Sequence, residues 1–152
     1  MGSVEKKLKE LGIELPECPK PVAAYVPATC ENGFIFASGQ TAWVDGKLLY
    51  PGKVGEAVSV EEAYESAKIS AVRVIAELKS IVGDLDNIKH IVKVTGYVNS
   101  APDFGAQPKV VNGASELFCE VFGEAGKHAR VAFGVGALPD NASVEIDVIA
   151  AI

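Results

Sequence analysis

The chain has 152 residues, 49% of them hydrophobic and 22% charged, with a formal net charge of −6. That length suits a single domain spanning residues 1–152 with a substantial core, and the balance excludes a disordered chain. The acidic total excludes a broad nucleic-acid or anionic-membrane surface.

Ser3–Leu11 carries Val4, Leu8 and Leu11 at helical spacing. It predicts a short helix, so residues 1–14 form an extra N-terminal helix and its connection. Met1–Leu11 is charged and has no apolar signal-peptide core. No run reaches membrane-span length. Pro16, Pro19 and Pro21 then enforce an extended path. Val22–Cys30 and Phe34–Ser38 read as strands joined at Asn32-Gly33, a hairpin signal. A second turn at Asp45-Gly46 leads to Leu48–Tyr50.

Ser59-Val60-Glu61-Glu62 is a capping box. The helix it opens should reach about Val82, burying Ala63, Ala67, Ala71, Val74, Leu78 and Ile81, and Gly83 ends it. Ile91–Asn99 is an alternating strand. Gln107–Phe122 is an amphipathic helix with Val110, Val111, Ala114, Leu117, Phe118, Val121 and Phe122 inside. Two strands close the chain. The order β-β-α-β-α-β-β, with alternating strands, predicts an α+β fold: a mixed sheet with two main helices on one face.

The three cysteines (Cys18, Cys30, Cys119) lack paired spacing and suit reduced cytoplasmic thiols. Cys30 and Cys119 read as small buried hydrophobes. His90 reads as solvated and His128 as a loop histidine near a pocket rim. Gly52-Lys53-Val54-Gly55 lacks the Gly-Lys-Ser/Thr ending of a phosphate loop, so a nucleotide site is rejected.

The chemistry concentrates near the C-terminus. In the apolar run after His128, Val131, Phe133, Val135 and Ala137 form one face. Arg130 shares the other with Ala132, Gly134 and Gly136. So bare a face predicts close packing by another subunit, with the arginine in a partly buried cleft. Its planar fork suits bidentate capture of a carboxylate or phosphate. If the last two strands form a hairpin near Asp140-Asn141, Glu145 lies opposite Gly136, roughly 20 Å from the level of Arg130. The two residues of one chain then cannot share a pocket, and a common site requires neighbouring subunits.

Four landmarks, in order, resemble the Rid (YjgF/YER057c/UK114) family. They are Tyr25 in the proline-flanked first strand, and Phe34–Gln40 ending in Ser-Gly-Gln. Gly83–Ile88 before a Val-Lys-Val-Thr strand is the third. Ala129-Arg130 followed by Leu138-Pro139 and Val144-Glu145-Ile146 is the fourth. The resemblance covers roughly Leu15 to the end. It implies a homotrimer with inward-facing sheets, pockets between subunits, and hydrolysis of 2-aminoacrylate-like enamines and imines to 2-keto acids and ammonia. No cofactor or metal is implied.

By position, the resemblance makes Arg130 the carboxylate clamp and Glu145 the residue that orients or activates water. Tyr25 would close the pocket wall, and Ser38 and Gly39 would add polar and backbone contacts. The family's cysteine two residues after the arginine is Ala132 here. Its helix asparagine corresponds to Asn112 or Ser115 depending on gap placement. With the extra N-terminal helix, these departures suggest a divergent branch. Two other functions stay open: a non-catalytic trimer binding a small carboxylate or keto acid, and the endoribonuclease or translation-inhibitor activity often attached to the family. The acidic total and the lack of a basic aromatic groove weigh against RNA.

Overall fold

The computed structural model describes residues 1–21 and 23–152. Its order is α1 (Ser3–Glu10), β1 (Ala28–Glu31), β2 (Phe34–Gln40), β3 (Trp43–Val44), β4 (Lys47–Leu48), α2 (Val60–Val82), β5 (His90–Asn99), α3 (Gln107–Phe122), β6 (Ala129–Val135) and β7 (Val144–Ala151). The main sheet runs β1-β2-β7-β5-β6, and β3-β4 is a separate small hairpin. Only β5 and β6 are parallel; the other pairs are antiparallel. A mixed sheet with α2 and α3 on one face is therefore present.

Local signals set the elements. Asn32 and Gly33, and likewise Asp45 and Gly46, have positive φ, as a two-residue hairpin turn demands. The Ser59 side chain accepts from the Glu62 amide while Glu62 returns the bond to the Ser59 amide. Asp86 caps α1, accepting from the Ser3 and Val4 amides at 2.7 and 2.8 Å. This tether lets so short a helix persist, with Val4 and Leu8 buried beneath it. Glu5 and Asp84 join Asp86 in a carboxylate cluster whose oxygens serve nearby backbone amides.

The first predicted strand is shorter than Val22–Cys30. Val22 lies outside the described residues, and regular pairing starts only at Ala28. The prolines upstream keep Tyr25 out of the ladder. Ile81, expected inside, is exposed, whereas Ile75 is fully buried. Cys30 and Cys119 are also exposed rather than buried. Cys30 pairs with the buried Ile35 but lies on the edge strand β1, where its place at the rim leaves it uncovered. The residue type alone does not reveal this.

The sheet order overturns the expected terminal hairpin. β5 lies between β6 and β7, pairing Val94 with both Arg130 and Val148. It also overturns the expectation that the bare β6 face meets another subunit. Ala132 packs against the chain's own core, and a Cβ added at Gly134 would meet Gln107 and Ser100 at 3.0 Å. On the neighbouring strand, a Cβ at Gly96 would fall 2.4 Å from Val111. Small residues are required here because α3 lies close on this face.

The opposite sheet face is uncovered. Phe34, Phe36, Val131 and Phe133 stand 40–47% exposed on it.

Gly113 marks the tightest helix contact. A Cβ there would sit 2.1 Å from the Tyr64 carbonyl oxygen of α2. Alanine's helix propensity favours Gly113→Ala by about 1 kcal/mol, but rigid backbone must move to admit it. A net loss of about 2–3 kcal/mol is expected, a Tm drop of roughly 5–10 °C. A calorimetric melt checks this; an unchanged or higher Tm would show that the helices separate at no cost.

Candidate active site

Arg130 stands on the edge strand β6 with its side chain turned toward α3. Its Nη1 donates to Asn112 Oδ1 at 2.8 Å and to Ser115 Oγ at 3.2 Å. The sequence left Asn112 and Ser115 as alternatives, and both reach the guanidinium because they lie one turn apart on α3. Nη2 makes a long 3.4 Å contact with the Pro108 carbonyl. Among the described residues no acceptor reaches Nε. The Nε–Nη2 edge therefore retains donors for a planar anion, while Nη1 fixes the plane. Ala132 follows on the same face, partly buried against the core.

His128 joins this group instead of lying free in a loop. Its Nδ1 is 2.6 Å from the Gly126 carbonyl and its Nε2 is 2.8 Å from Ser115 Oγ. The Phe118 ring packs edge-on against it, with centroids 6.0 Å apart. Burial is the main force holding the imidazole pKa below its usual value; the Gly126 hydrogen bond opposes it, and Arg130 and His90 push it further down.

Glu145 is elsewhere. It pairs across the ladder with Tyr97, and Tyr97 with Phe133. This places Glu145 on the uncovered face, opposite the face that carries Arg130. Val94 and Tyr97 mark their levels, about 10 Å apart along the strand, and two strand spacings add about another 10 Å. Glu145 is partly buried, and its carboxyl pKa is raised first by burial and then by Asp147. The Tyr97 hydroxyl donates to Asp147 at 2.7 Å.

Gly39 is the residue that makes room for Glu145: a Cβ there would fall 2.7 Å from Glu145 Oε1. Ser38 Oγ donates to the Val26 carbonyl at 2.8 Å, holding the irregular segment that carries Tyr25. Tyr25, Ser38 and Phe36 line an open depression of ≈ 480 Å³. The site residues thus form two groups. Arg130, Asn112, Ser115 and Ala132 lie against α3, and Glu145, Gly39, Ser38 and Tyr25 lie on the β2–β7 side. Within one chain the two groups do not meet.

Sequence reasoning missed two features. One is His128, whose role needs the α3 register to be seen. The other is a half-buried chain in which Arg73 Nε donates to Gln40 Oε1 at 2.9 Å and Gln40 Nε2 donates to Glu77 Oε1 at 2.6 Å. Gln40 was visible as the end of Ser-Gly-Gln, but its partners on α2 lie far away in sequence. Lys53 is spent structurally, donating to the Asn99 side chain and the Gly136 carbonyl.

A small α+β domain with one bare sheet face and an arginine braced at the sheet edge defines a class of protein. Comparison places the chain within that class. The family model described as "YjgF/chorismate mutase-like, putative endoribonuclease" matches residues 5–152, and the chain belongs to this YjgF/Rid family. It is 40% identical to Protein TCP17 of Trypanosoma cruzi over 97% of this chain and 93% of that protein.

Among solved structures it is similar to Atu1372 of Agrobacterium tumefaciens, a protein of unknown function. Identity is 44%, the TM-score is 0.93, and 99% of this chain and 92% of that one are covered. It is also similar to a "putative endoribonuclease" from Shewanella oneidensis MR-1, with 33% identity, a TM-score of 0.95, and 99% and 100% coverage. No helix among the described residues is long and apolar enough to cross a membrane.

Proposed function

We propose that the protein is a cytoplasmic homotrimeric enamine/imine deaminase that hydrolyses small carboxylate-bearing imines of the 2-aminoacrylate type to 2-keto acids and ammonia. One observation carries this proposal. Arg130 is held in place through Nη1 while its Nε–Nη2 edge remains available, the arrangement a carboxylate clamp requires.

The clamp fixes the anionic end, so that water can approach the C=N carbon in one orientation. Glu145 of a neighbouring subunit would hold that water, with Gly39 leaving its carboxylate room. Tyr25 and Ser38 would wall the pocket. The exposed Phe34, Phe36, Val131 and Phe133 supply an apolar face on which subunits would meet.

The test is the decay of 2-aminoacrylate generated in situ by a separate lyase. Wild type should accelerate it. Arg130→Ala should lose roughly a hundredfold, the equivalent of about 3 kcal/mol for a bidentate charge-assisted contact. Equal rates with and without wild-type protein would leave a ligand-binding cleft as the better account. The name endoribonuclease on the family and on relatives favours a second function, RNA cleavage. The net charge of −6 opposes it. RNA cleavage that survives Arg130→Ala and repeated purification would revive it.

A further inference from the structure

We propose that Ser115 and His128 form a proton relay beside the Arg130 clamp, with His128 as the base acting through the Ser115 hydroxyl. The inference deepens the deaminase proposal and rests on it. The hydrogen bonds fix the direction of transfer. A carbonyl oxygen only accepts, so the 2.6 Å contact with Gly126 requires the proton to be on Nδ1. In the neutral ring Nε2 then carries a lone pair, and it faces Ser115 Oγ at 2.8 Å. Ser115 therefore donates to His128 while its oxygen accepts from Arg130 Nη1 at 3.2 Å. The hydroxyl thus joins the base to the clamp.

Burial lowers the imidazole pKa against the Gly126 hydrogen bond, which favours the charged ring, and the neighbouring groups tip the balance further toward the neutral form. Arg130 approaches from β6 and His90 from β5, and both oppose a charge on it. From α3 come the uncharged Ser115, the Phe118 ring and Cys119, whose thiol shares the Gly126 carbonyl at 3.6 Å. Lys127, the adjoining residue, is paired with Glu124 at 2.7 Å.

The chemistry balances on a protonated imine. Water gives a proton to Ser115 Oγ as Ser115 gives its own to His128 Nε2. The oxygen bonds to the iminium carbon, and the C=N π pair moves to nitrogen. The proton then returns from His128 through Ser115 to the amine. The C–N bond breaks, ammonia leaves, and the carbinol oxygen forms the keto group as it releases its proton to solvent. Glu145 orients the water and need not take the proton. His128, which acts through Ser115, is a positioning residue and Ser115 the group that meets the water.

The experiment is the pH dependence of 2-aminoacrylate deamination, with a lyase-only control at each pH and the His128 midpoint read separately by imidazole NMR. In wild type, kcat should rise with pH through an acid limb whose midpoint coincides with that of His128, below the ordinary histidine value, and then level off. His128→Asn and Ser115→Ala should lower the plateau about a hundredfold, chiefly in kcat, and abolish that limb. Ser115→Thr keeps the hydroxyl and should retain it. Ser115→Ala leaves His128 and its fold contacts in place, so it decides the matter if His128→Asn does not fold. A limb that survives in Ser115→Ala belongs to Glu145 and overturns the relay alone. Wild type no faster than Arg130→Ala overturns the deaminase proposal and the relay with it.

Discussion

Arg130→Ala and Glu145→Ala chains, each inactive as a pure oligomer, should regain about a quarter of wild-type activity when co-expressed in equal amounts. The expectation comes from the sheet. Arg130 pairs with Val94 and faces α3, whereas Glu145 pairs with Tyr97 and faces away from the helices. No rotamer brings both into one cleft of a single chain. If the site joins them, each interface takes its arginine from one subunit and its glutamate from the next.

Random mixing then gives half the interfaces an intact Arg130, and half of those an intact Glu145. A site built within one chain would give no recovery, since every chain lacks one residue. Recovery near zero, with mixed oligomers demonstrated by mass, would sink the shared-site arrangement. Substantial activity of pure Glu145→Ala would remove Glu145 from the chemistry and favour an Arg130-based binding cleft. The measurement reads a gain from almost nothing, so loss of folding cannot imitate the positive result.

Most of the fold was legible because its signals are local. The Ser59 capping box, the Asn32-Gly33 and Asp45-Gly46 turns, and the α3 stripe each need only a few neighbouring residues. What failed was non-local. The order of β6 and β7 cannot be read from their adjacency in sequence, because β5 inserts between them to make a parallel pair. That single fact reversed the meaning of Ala132 and Gly134. They are small because α3 lies close, as the clash of a Gly96 Cβ with Val111 also indicates. Arg130 and Glu145 do stand apart in one chain, but the cause is the insertion of β5 between their strands and their opposite faces, not a terminal hairpin. For the site, residue type carried Arg130, whose chemistry is distinctive. It did not carry His128, whose contact with Ser115 arises only when α3 sets that hydroxyl against Nε2.

Glu77→Gln should stabilise the protein at neutral and alkaline pH, on the order of 3 kcal/mol at pH 7, and change little near pH 4. Glu77 is fully buried on α2. One oxygen accepts from Gln40, and Oε2 has no partner among the described residues. Burial raises its pKa from 4.5 to about 8 against the smaller opposing pulls of Gln40 and Arg73.

The sign follows from proton binding. Below 4.5 both folded and unfolded chains carry the proton, and the native state bears no charge penalty. Between 4.5 and about 8 the unfolded chain has released it and the folded chain has not, so stability falls as pH rises, by at most about 1.4 kcal/mol per pH unit. Above about 8 the loss is complete. Glutamine is neutral throughout, and its NH2 at the Oε2 position is no worse paired than the O–H of the neutral acid.

Urea midpoints at fixed protein concentration should therefore diverge between wild type and Glu77→Gln as pH climbs from about 4 to 9. Parallel curves would mean that Glu77 ionises in the native state with little cost, through water or a movement of Arg73. The consequence reaches the candidate site. Gln40 directly follows Gly39, which makes room for the Glu145 carboxylate, so the Gln40–Glu77 bond ties α2 to the strand end beside Glu145.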